Sequence, residues 1–364
     1  MNLYLPNYKD KARLAIVVKE EDETIEHEQL VIGEKFAYFK SDNLHIIGED
    51  LTVLKNLCSG DIITISDNGL LYKLFSPKDD DATIYMTGHC NSNCIMCPTS
   101  DGERKKSEGM PTEWLLEFID ILPENISHIA VTGGEPTLRL DDFLSVMSVM
   151  AKKFTRTETL LLTNGRSFSS TKLVNKLVSA CPSYMTVAIP LHGHNSILHD
   201  SITRAEGSFV QTVRGIENLL QAGVAVEVRV VVSKLNIRHL TAIAELISKK
   251  FSRVRVVNFV GLETRGNCAV NIEQVYVNYS DAFVAMKEAI LLLMKNGIDV
   301  GIYNFPLCMV NRGYWALCKK SITPEKIRFN NECGKCQVKS ICGGFFNTTL
   351  SMVKPVVRPI LEKV

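Results

Sequence analysis

From residue 82 to about residue 260 the chain repeats one unit, a short apolar run followed by an amphipathic stretch, and few folds accept that repeat. Strand-like runs fall at 83–86, 128–131, 159–162, 185–189, 224–232 and 254–260. Between them apolar residues recur at helical spacing. One helix is predicted to be capped by Thr112 and to bury Leu115, Phe118, Ile119 and Leu122; a second is capped by Asp141 and carries Phe143, Met147, Met150 and Phe154. A third opens on a capping box of Ser208 and Gln211 ahead of Phe209, Val213, Ile216 and Leu220. Six strand–helix units with right-handed crossovers make a parallel sheet that curls toward a barrel or part of one. The expected class is α/β, a partial (β/α)6 barrel.

Residues 1–80 read differently. Short alternating runs such as 12–18, 36–39 and 62–65 are separated by Asp, Asn and Gly, and Asp67-Asn68-Gly69 sits between two of them as in a hairpin. A small β-rich domain is expected there, followed by a barrel core over 81–265 and a C-terminal extension over 266–364. In the extension, Ser280 opens a helix bearing Phe283, Met286, Ile290 and Leu293 that stops at Asn296-Gly297. A formal net charge of +1 gives no basic stripe for nucleic acid, and the apolar stretch 224–232 is broken by Glu227 and Arg229 and is too short to span a bilayer. The N-terminus lacks the basic start and long apolar run of a signal peptide, and eleven cysteines with three in one cluster suit thiolate metal binding in a reducing compartment, so a cytoplasmic protein is expected.

Ligands in sheets of this kind bind at the carboxyl ends of the strands, and the chemistry-bearing residues cluster there. Cys90, Cys94 and Cys97, spaced C-x3-C-x2-C, follow the first strand. Thr132-Gly133-Gly134-Glu135-Pro136 follows the second, Thr163-Asn164-Gly165 the third, and Pro190-Leu191-His192-Gly193-His194 the fourth. Asn258 to Gly261 close the sixth. Three thiolates within eight residues can hold three irons of a cubane and leave the fourth open. Zinc, with Asp101, Glu103 or His89 as a fourth ligand, stays open on spacing alone.

The C-x3-C-x2-C spacing with Gly133-Gly134-Glu135-Pro136 resembles the radical S-adenosylmethionine (SAM) enzymes. That resemblance implies a [4Fe–4S] cluster on Cys90, Cys94 and Cys97 whose open iron chelates SAM, and an electron from an external donor that cleaves SAM to a 5′-deoxyadenosyl radical. It implies further that Gly133, Gly134, Glu135 and Pro136 face the SAM amino group, that Met96 packs near the adenine, and that Thr163 and Asn164 are polar contacts. Arg229 is read as a partner of the SAM carboxylate or, equally, as a barrel-wall ion pair with Glu227. Pro190 and His192 stand where many relatives have Ser and Asp; His192 and His194 are read as surface or capping residues, with an acid–base role the alternative. The fold so implied is a partial (β/α)6 radical SAM barrel with a small β-rich N-terminal domain and a C-terminal auxiliary-cluster extension.

Cys333, Cys336 and Cys342 form a compact C-x2-C-x5-C stretch among Gly, Lys and Asn, which points to a second metal site with Cys308 as fourth ligand and Cys318 its competitor. Spacing does not separate zinc from iron–sulfur there. The stretch is similar to a shortened auxiliary-cluster extension of radical SAM peptide maturases, which implies a second [4Fe–4S] cluster. Residues 303–308, the Cys333/Cys336/Cys342-Gly-Gly-Phe-Phe ending, Gly261-Leu262-Glu263 and Pro190-Leu191 together resemble the C-type maturase of the His-Xaa-Ser systems. The implied substrate is a ribosomally made peptide handled with companion maturation proteins. The alternatives are radical chemistry on a small molecule or RNA, and a non-catalytic metal scaffold or electron carrier.

Overall fold

The computed structural model describes residues 2–42 and 45–362. The first strands are β1 (Asn2–Tyr4), β2 (Arg13–Val18), β3 (Gln29–Ile32) and β4 (Ala37–Phe39); helix α1 (Gly48–Leu54) follows, then β5 (Ile62–Ile65) and β6 (Leu70–Phe75). They form one sheet in the order β1-β6-β5-β2-β3-β4, antiparallel except for β2 and β3. The hairpin predicted at Asp67-Asn68-Gly69 joins β5 to β6, with Gly69 at φ +83°. Period-two alternation gives this sheet two apolar faces. Ala15, Val17, Ile63, Ile65 and Leu71 pack with Leu30, Phe39 and Leu54 in a core of their own, while Leu14, Ile62 and Phe75 point into the core of the barrel.

The barrel runs β7 (Asp81–Tyr85), α2 (Asp101–Lys106), α3 (Thr112–Ile121), β8 (His128–Thr132), α4 (Leu140–Lys153), β9 (Glu158–Leu162), α5 (Thr171–Ala180) and β10 (Met185–Pro190). It continues with α6 (Ser196–Thr203), α7 (Ser208–Gln221), β11 (Ala225–Val231), α8 (Leu240–Lys250), β12 (Val256–Val260), α9 (Gly266–Val270), α10 (Ile272–Val275) and α11 (Tyr279–Lys295). The six expected strands are present as β7–β12. Two more, β13 (Val300–Tyr303) and β14 (Cys318–Lys319), extend the sheet from the C-terminal side, and all eight lie parallel in chain order. A small hairpin of β15 (Ile327–Arg328) and β16 (Phe345–Phe346) and helix α12 (Asn347–Val353) complete the described chain. Among the described residues no helix is long and apolar enough to cross a membrane.

The predicted apolar faces are buried: Leu115, Phe118 and Ile119 on α3, Phe143, Met147 and Met150 on α4, and Phe283, Met286, Ile290 and Leu293 on α11. Burying a side chain of this size is worth about 1.5–3 kcal/mol, so these stripes fix where the helices lie on the sheet. The predicted caps are corrected by the structure. Thr112 is the first residue of α3 rather than its cap, because its Oγ accepts a hydrogen bond from Arg139 Nη2 at 2.7 Å. Asp141 lies inside α4, whose N-cap is Arg139. Gly207, at φ +73°, precedes α7, and the capping acceptor is Asp200, whose carboxylate takes the N–H groups of Gly207 and Phe209 at 2.8 and 2.7 Å. A carboxylate at a helix N-terminus outcompetes the Ser208 hydroxyl, which itself donates to Asp200 at 2.7 Å. Asn278, not Ser280, caps α11 by accepting from Asp281 N–H at 2.9 Å.

Candidate active site

Between β7 and α2 the chain carries its three clustered cysteines through a loop without regular secondary structure. Such a loop must find partners for its backbone groups from elsewhere. Asn93 and Ile95 N–H donate to the carbonyls of Thr203 and Ile202 at 2.9 Å each. The loop carbonyls are taken by side chains: Ser92 O by Arg104 Nη1 at 2.7 Å, Asn91 O by Arg166 Nη1, Cys94 O by Asn267 Nδ2 at 3.1 Å and Ile95 O by Asn271 Nδ2 at 3.3 Å. Reasoning from sequence missed all four donors. The one local signal was the Ser100-x-x-Glu103 capping box that starts α2 and thereby aims Arg104 at the loop.

Held in this way, Cys90, Cys94 and Cys97 line one cavity of about 290 Å³ at the carboxyl ends of the strands. Gly133, Gly134, Thr163, Asn164 and Arg229 line the same cavity, and so does Pro190. Burial pushes the Cys94 thiol up to about 12, with the neighbouring thiols Cys97 and Cys90 adding to it, so without a metal it holds its proton at neutral pH. The glycine pair is required by the cysteine loop. A Cβ on Gly133 would lie 2.4 Å from Thr87 O, and one on Gly134 would lie 2.3 Å from both Gly88 O and His89 O. Gly134 and Glu135 N–H donate to Thr87 O and His89 O at 2.7 and 2.8 Å. The turn after β8 and the loop after β7 are therefore one backbone-paired unit.

Other predicted residues lie outside the cavity wall. Glu135 is fully buried, and its carboxylate accepts from Thr137 N–H and Oγ, from Thr163 Oγ at 2.8 Å and from Asn164 N–H at 2.7 Å. It ties the ends of β8 and β9 together, and burial raises its pKa. Pro136 starts the short turn beneath, and Met96 packs with Ile95, Ile202, Leu262 and Val275. Arg229 makes the barrel-wall ion pair, Nε donating to Glu227 at 2.5 Å, and it also lines the cavity, near the ring of Tyr303. Asp101 and Glu103 are held by Lys105 and Arg265, at 2.8 and 2.7 Å. The His89 side chain is 44% exposed, and none of the three residues lines the cavity. His192 is neither on the surface nor a cap. It is buried beside His199, their rings 5.5 Å apart, while His194 stacks on His239.

The C-terminal cysteines also share one enclosure. Cys308, Cys333, Cys336 and Cys342 line a small cavity closed by Phe329, Phe345 and the returning tail at Val357 to Pro359. Cys318 is not part of that wall; its thiol donates to Tyr314 O at 3.8 Å. Cys342 Sγ accepts the N–H groups of Leu307 and Gly344 at 3.4 Å each, the environment a thiolate ligand needs. Among the described residues no three His, Cys, Asp or Glu side chains converge to hold a single ion. The fit to clusters therefore rests on the thiol donors, the shared cavity walls and the N–H groups aimed at sulfur.

Residues 84–247 match the model of the Radical SAM superfamily. Over that span the barrel resembles the radical SAM superfamily. Mycofactocin maturase MftC of Mycolicibacterium smegmatis is 31% identical over 178 residues, which cover 47% of this chain and 42% of that one. Sporulation killing factor maturation protein SkfB of Bacillus subtilis is 24% identical over 194 residues (52% and 46%), and GTP 3′,8-cyclase of Helicobacter pylori 28% over 199 (52% and 59%). The chain spans about half the length of the curated relatives it matches. The crystal structure of Streptococcus suis SuiB bound to precursor peptide SuiA superposes with a TM-score of 0.50 at 13% identity, covering 61% of this chain and 48% of that one. The α/β radical SAM fold expected from the sequence is thus the fold observed.

Proposed function

We propose that this radical SAM protein holds a [4Fe–4S] cluster on Cys90, Cys94 and Cys97, binds SAM beside it, and modifies a ribosomally made peptide. When bound, that pair supplies reductive cleavage of SAM and a carbon radical able to abstract a hydrogen atom. The observation that carries the reading is the shared cavity, where the three thiols face the glycine turn, Thr163, Asn164 and Arg229 across about 290 Å³. The exposed backbone of Gly133 and Gly134 and the amide of Asn164 suit the amino-acid part of SAM, and Arg229 suits a carboxylate. Glu135 and Met96 serve from behind this wall, Glu135 by fixing Thr163 and Asn164 and Met96 by packing the loop.

Cys308, Cys333, Cys336 and Cys342 hold a second [4Fe–4S] cluster in this reading. Four thiols in an enclosure sealed by the tail leave no open iron, which favours electron relay or structure over substrate ligation. Peptide as substrate is supported by the likeness to maturases such as MftC and SkfB. The finer reading, a His-Xaa-Ser peptide processed with companion proteins and an external electron donor, rests on the sequence resemblance carried by residues 303–308, the Cys333/Cys336/Cys342-Gly-Gly-Phe-Phe ending, Gly261-Leu262-Glu263 and Pro190-Leu191, the first and third of which are neighbours in the sheet. Gly261 N–H donates to Tyr303 O at 2.9 Å and Asn304 Nδ2 donates to Gly261 O at 3.2 Å. A second reading, a small-molecule substrate, is favoured by the match to GTP 3′,8-cyclase, of which 59% is covered.

The test is anaerobic. The reconstituted protein is given SAM and dithionite, with and without a candidate peptide, and 5′-deoxyadenosine is assayed beside a Cys94→Ala variant. Product from wild type alone establishes radical initiation, and a mass change confined to the peptide establishes the substrate class. No product from cluster-loaded wild type, with peptide present and reductants varied, would leave a metal-binding scaffold or electron carrier as the better description.

A further inference from the structure

Arg104 is a cation buried beside the three thiols. It is 5% exposed and lines the cavity with Cys90, Cys94 and Cys97. Its Nη1 donates to Ser92 O at 2.7 Å, its Nη2 donates to Asn93 Oδ1, and Asp101 lies 3.5 Å from Nη2. The third edge of the guanidinium differs, because Nε–H is buried and has no acceptor. A buried donor on a charged group is costly to leave unpaired, and an anion in the cavity would complete it. Arg166 makes a useful contrast. It also ties the loop, through Asn91 O and Ser92 Oγ, yet it is not among the residues of the cavity wall.

We propose that Arg104 is a positioning residue of the thiol-bound cluster, one that donates its Nε–H to a cluster sulfur and stabilises the added electron with its charge. This rests on the reading that Cys90, Cys94 and Cys97 hold an iron–sulfur cluster. One-electron reduction places a further negative charge on a group that is already anionic. A fixed cation beside the cluster lowers the cost of that step, and a hydrogen bond to sulfur acts in the same direction.

The experiment is a dithionite titration of the reconstituted, SAM-free protein, followed by electron paramagnetic resonance and scaled to bound iron, on wild type, Arg104→Gln, Arg104→Lys and Arg166→Gln. To isolate the signal, every protein also carries Cys333→Ser and Cys336→Ser at the second site. Arg104→Gln is expected to lower the equilibrium constant for reduction about tenfold, ~59 mV for one electron. Arg104→Lys, which keeps the charge and loses the Nε donor, falls between. Where Arg104→Gln takes up no iron, Arg104→Lys carries the comparison. Equal shifts in Arg104→Gln and Arg166→Gln would reduce Arg104 to a loop tether and overturn the proposal. So would an unchanged potential in Arg104→Gln; weaker SAM binding by that variant, measured in a separate titration, would then assign the donor to the SAM carboxylate. Absence of any cluster signal in the protein with both arginines intact would instead refute the cluster reading itself.

Discussion

His192 offers a stability measurement that separates buried packing from acid–base duty. Burial, with the nearby His199 second, pushes its pKa from 6.5 down to about 3. The sign follows from linkage. The folded state keeps the ring neutral while the unfolded chain takes up a proton below 6.5, so the stabilisation is full above 6.5 and is lost as pH falls toward 3. From pH 7 to pH 5 the unfolded chain moves about 1.5 units below its own pKa, and at about 1.4 kcal/mol per unit, less the little already present at pH 7, His192 alone accounts for about 2 kcal/mol. The perturbation is His192→Leu, which removes the ring and keeps the backbone bonds: His192 N–H to His199 Nδ1 at 3.2 Å, and Asn236 Nδ2 to His192 O at 3.2 Å. Urea unfolding followed by the fluorescence of Trp114 and Trp315 at both pH values supplies the difference. Wild type is expected to lose about 2 kcal/mol more than the variant on acidification. Equal losses would show that His192 titrates normally in the folded state, and would reopen its alternative as a proton carrier.

Two further outcomes follow from the two cysteine sites. Gly134→Ala places a Cβ 2.3 Å from the carbonyl oxygens of Gly88 and His89, so the cysteine loop must move; a loss of about 1–3 kcal/mol and a fall in iron per chain are expected, read by melting and iron assay. Cys308→Ser is expected to remove iron from the second site while Cys318→Ser leaves it in place, measured as iron content and resonance signal in a Cys94→Ala background; the reverse result would move the fourth ligand to Cys318.

Much of the barrel was legible because its elements carry strong periodic signals. The apolar faces on α3, α4 and α11 recur every three or four residues and are buried where expected. β13 and β14 were not legible as parts of the sheet. One has four residues and the other two, and Cys318-Lys319 has no apolar run, so its strand character comes from pairing with Ile302 and Tyr303. The caps failed for a different reason. Thr112, Asp141 and Ser208 are all good capping residues by type, but the hydroxyls of Thr112 and Ser208 are engaged by Arg139 and Asp200, brought in by folding, and Asp141 lies inside α4, whose first residue is Leu140.

The two cysteine sites show why one motif explains itself and the other does not. Around Cys333, Cys336 and Cys342 the backbone pairs with itself in short turns, Cys336 N–H to Cys333 O at 3.2 Å and Cys342 N–H to Lys339 O at 3.3 Å. Those turns are local, so the spacing alone announces the motif, although Leu307 N–H reaches Cys342 Sγ and Gln337 N–H reaches Ile360 O from farther along the chain. The Cys90 loop is shaped from a distance. Its carbonyls are met by Arg104, Arg166, Asn267 and Asn271, and its start is pressed against Gly133 and Gly134. Polar residues of this kind look like ordinary surface in a sequence, because what marks them is an unpaired carbonyl as many as 176 positions away. The thiols of the first loop announce the chemistry, and their geometry is held by α2, by the turns after β8 and β9, and by the short helix α9 after β12.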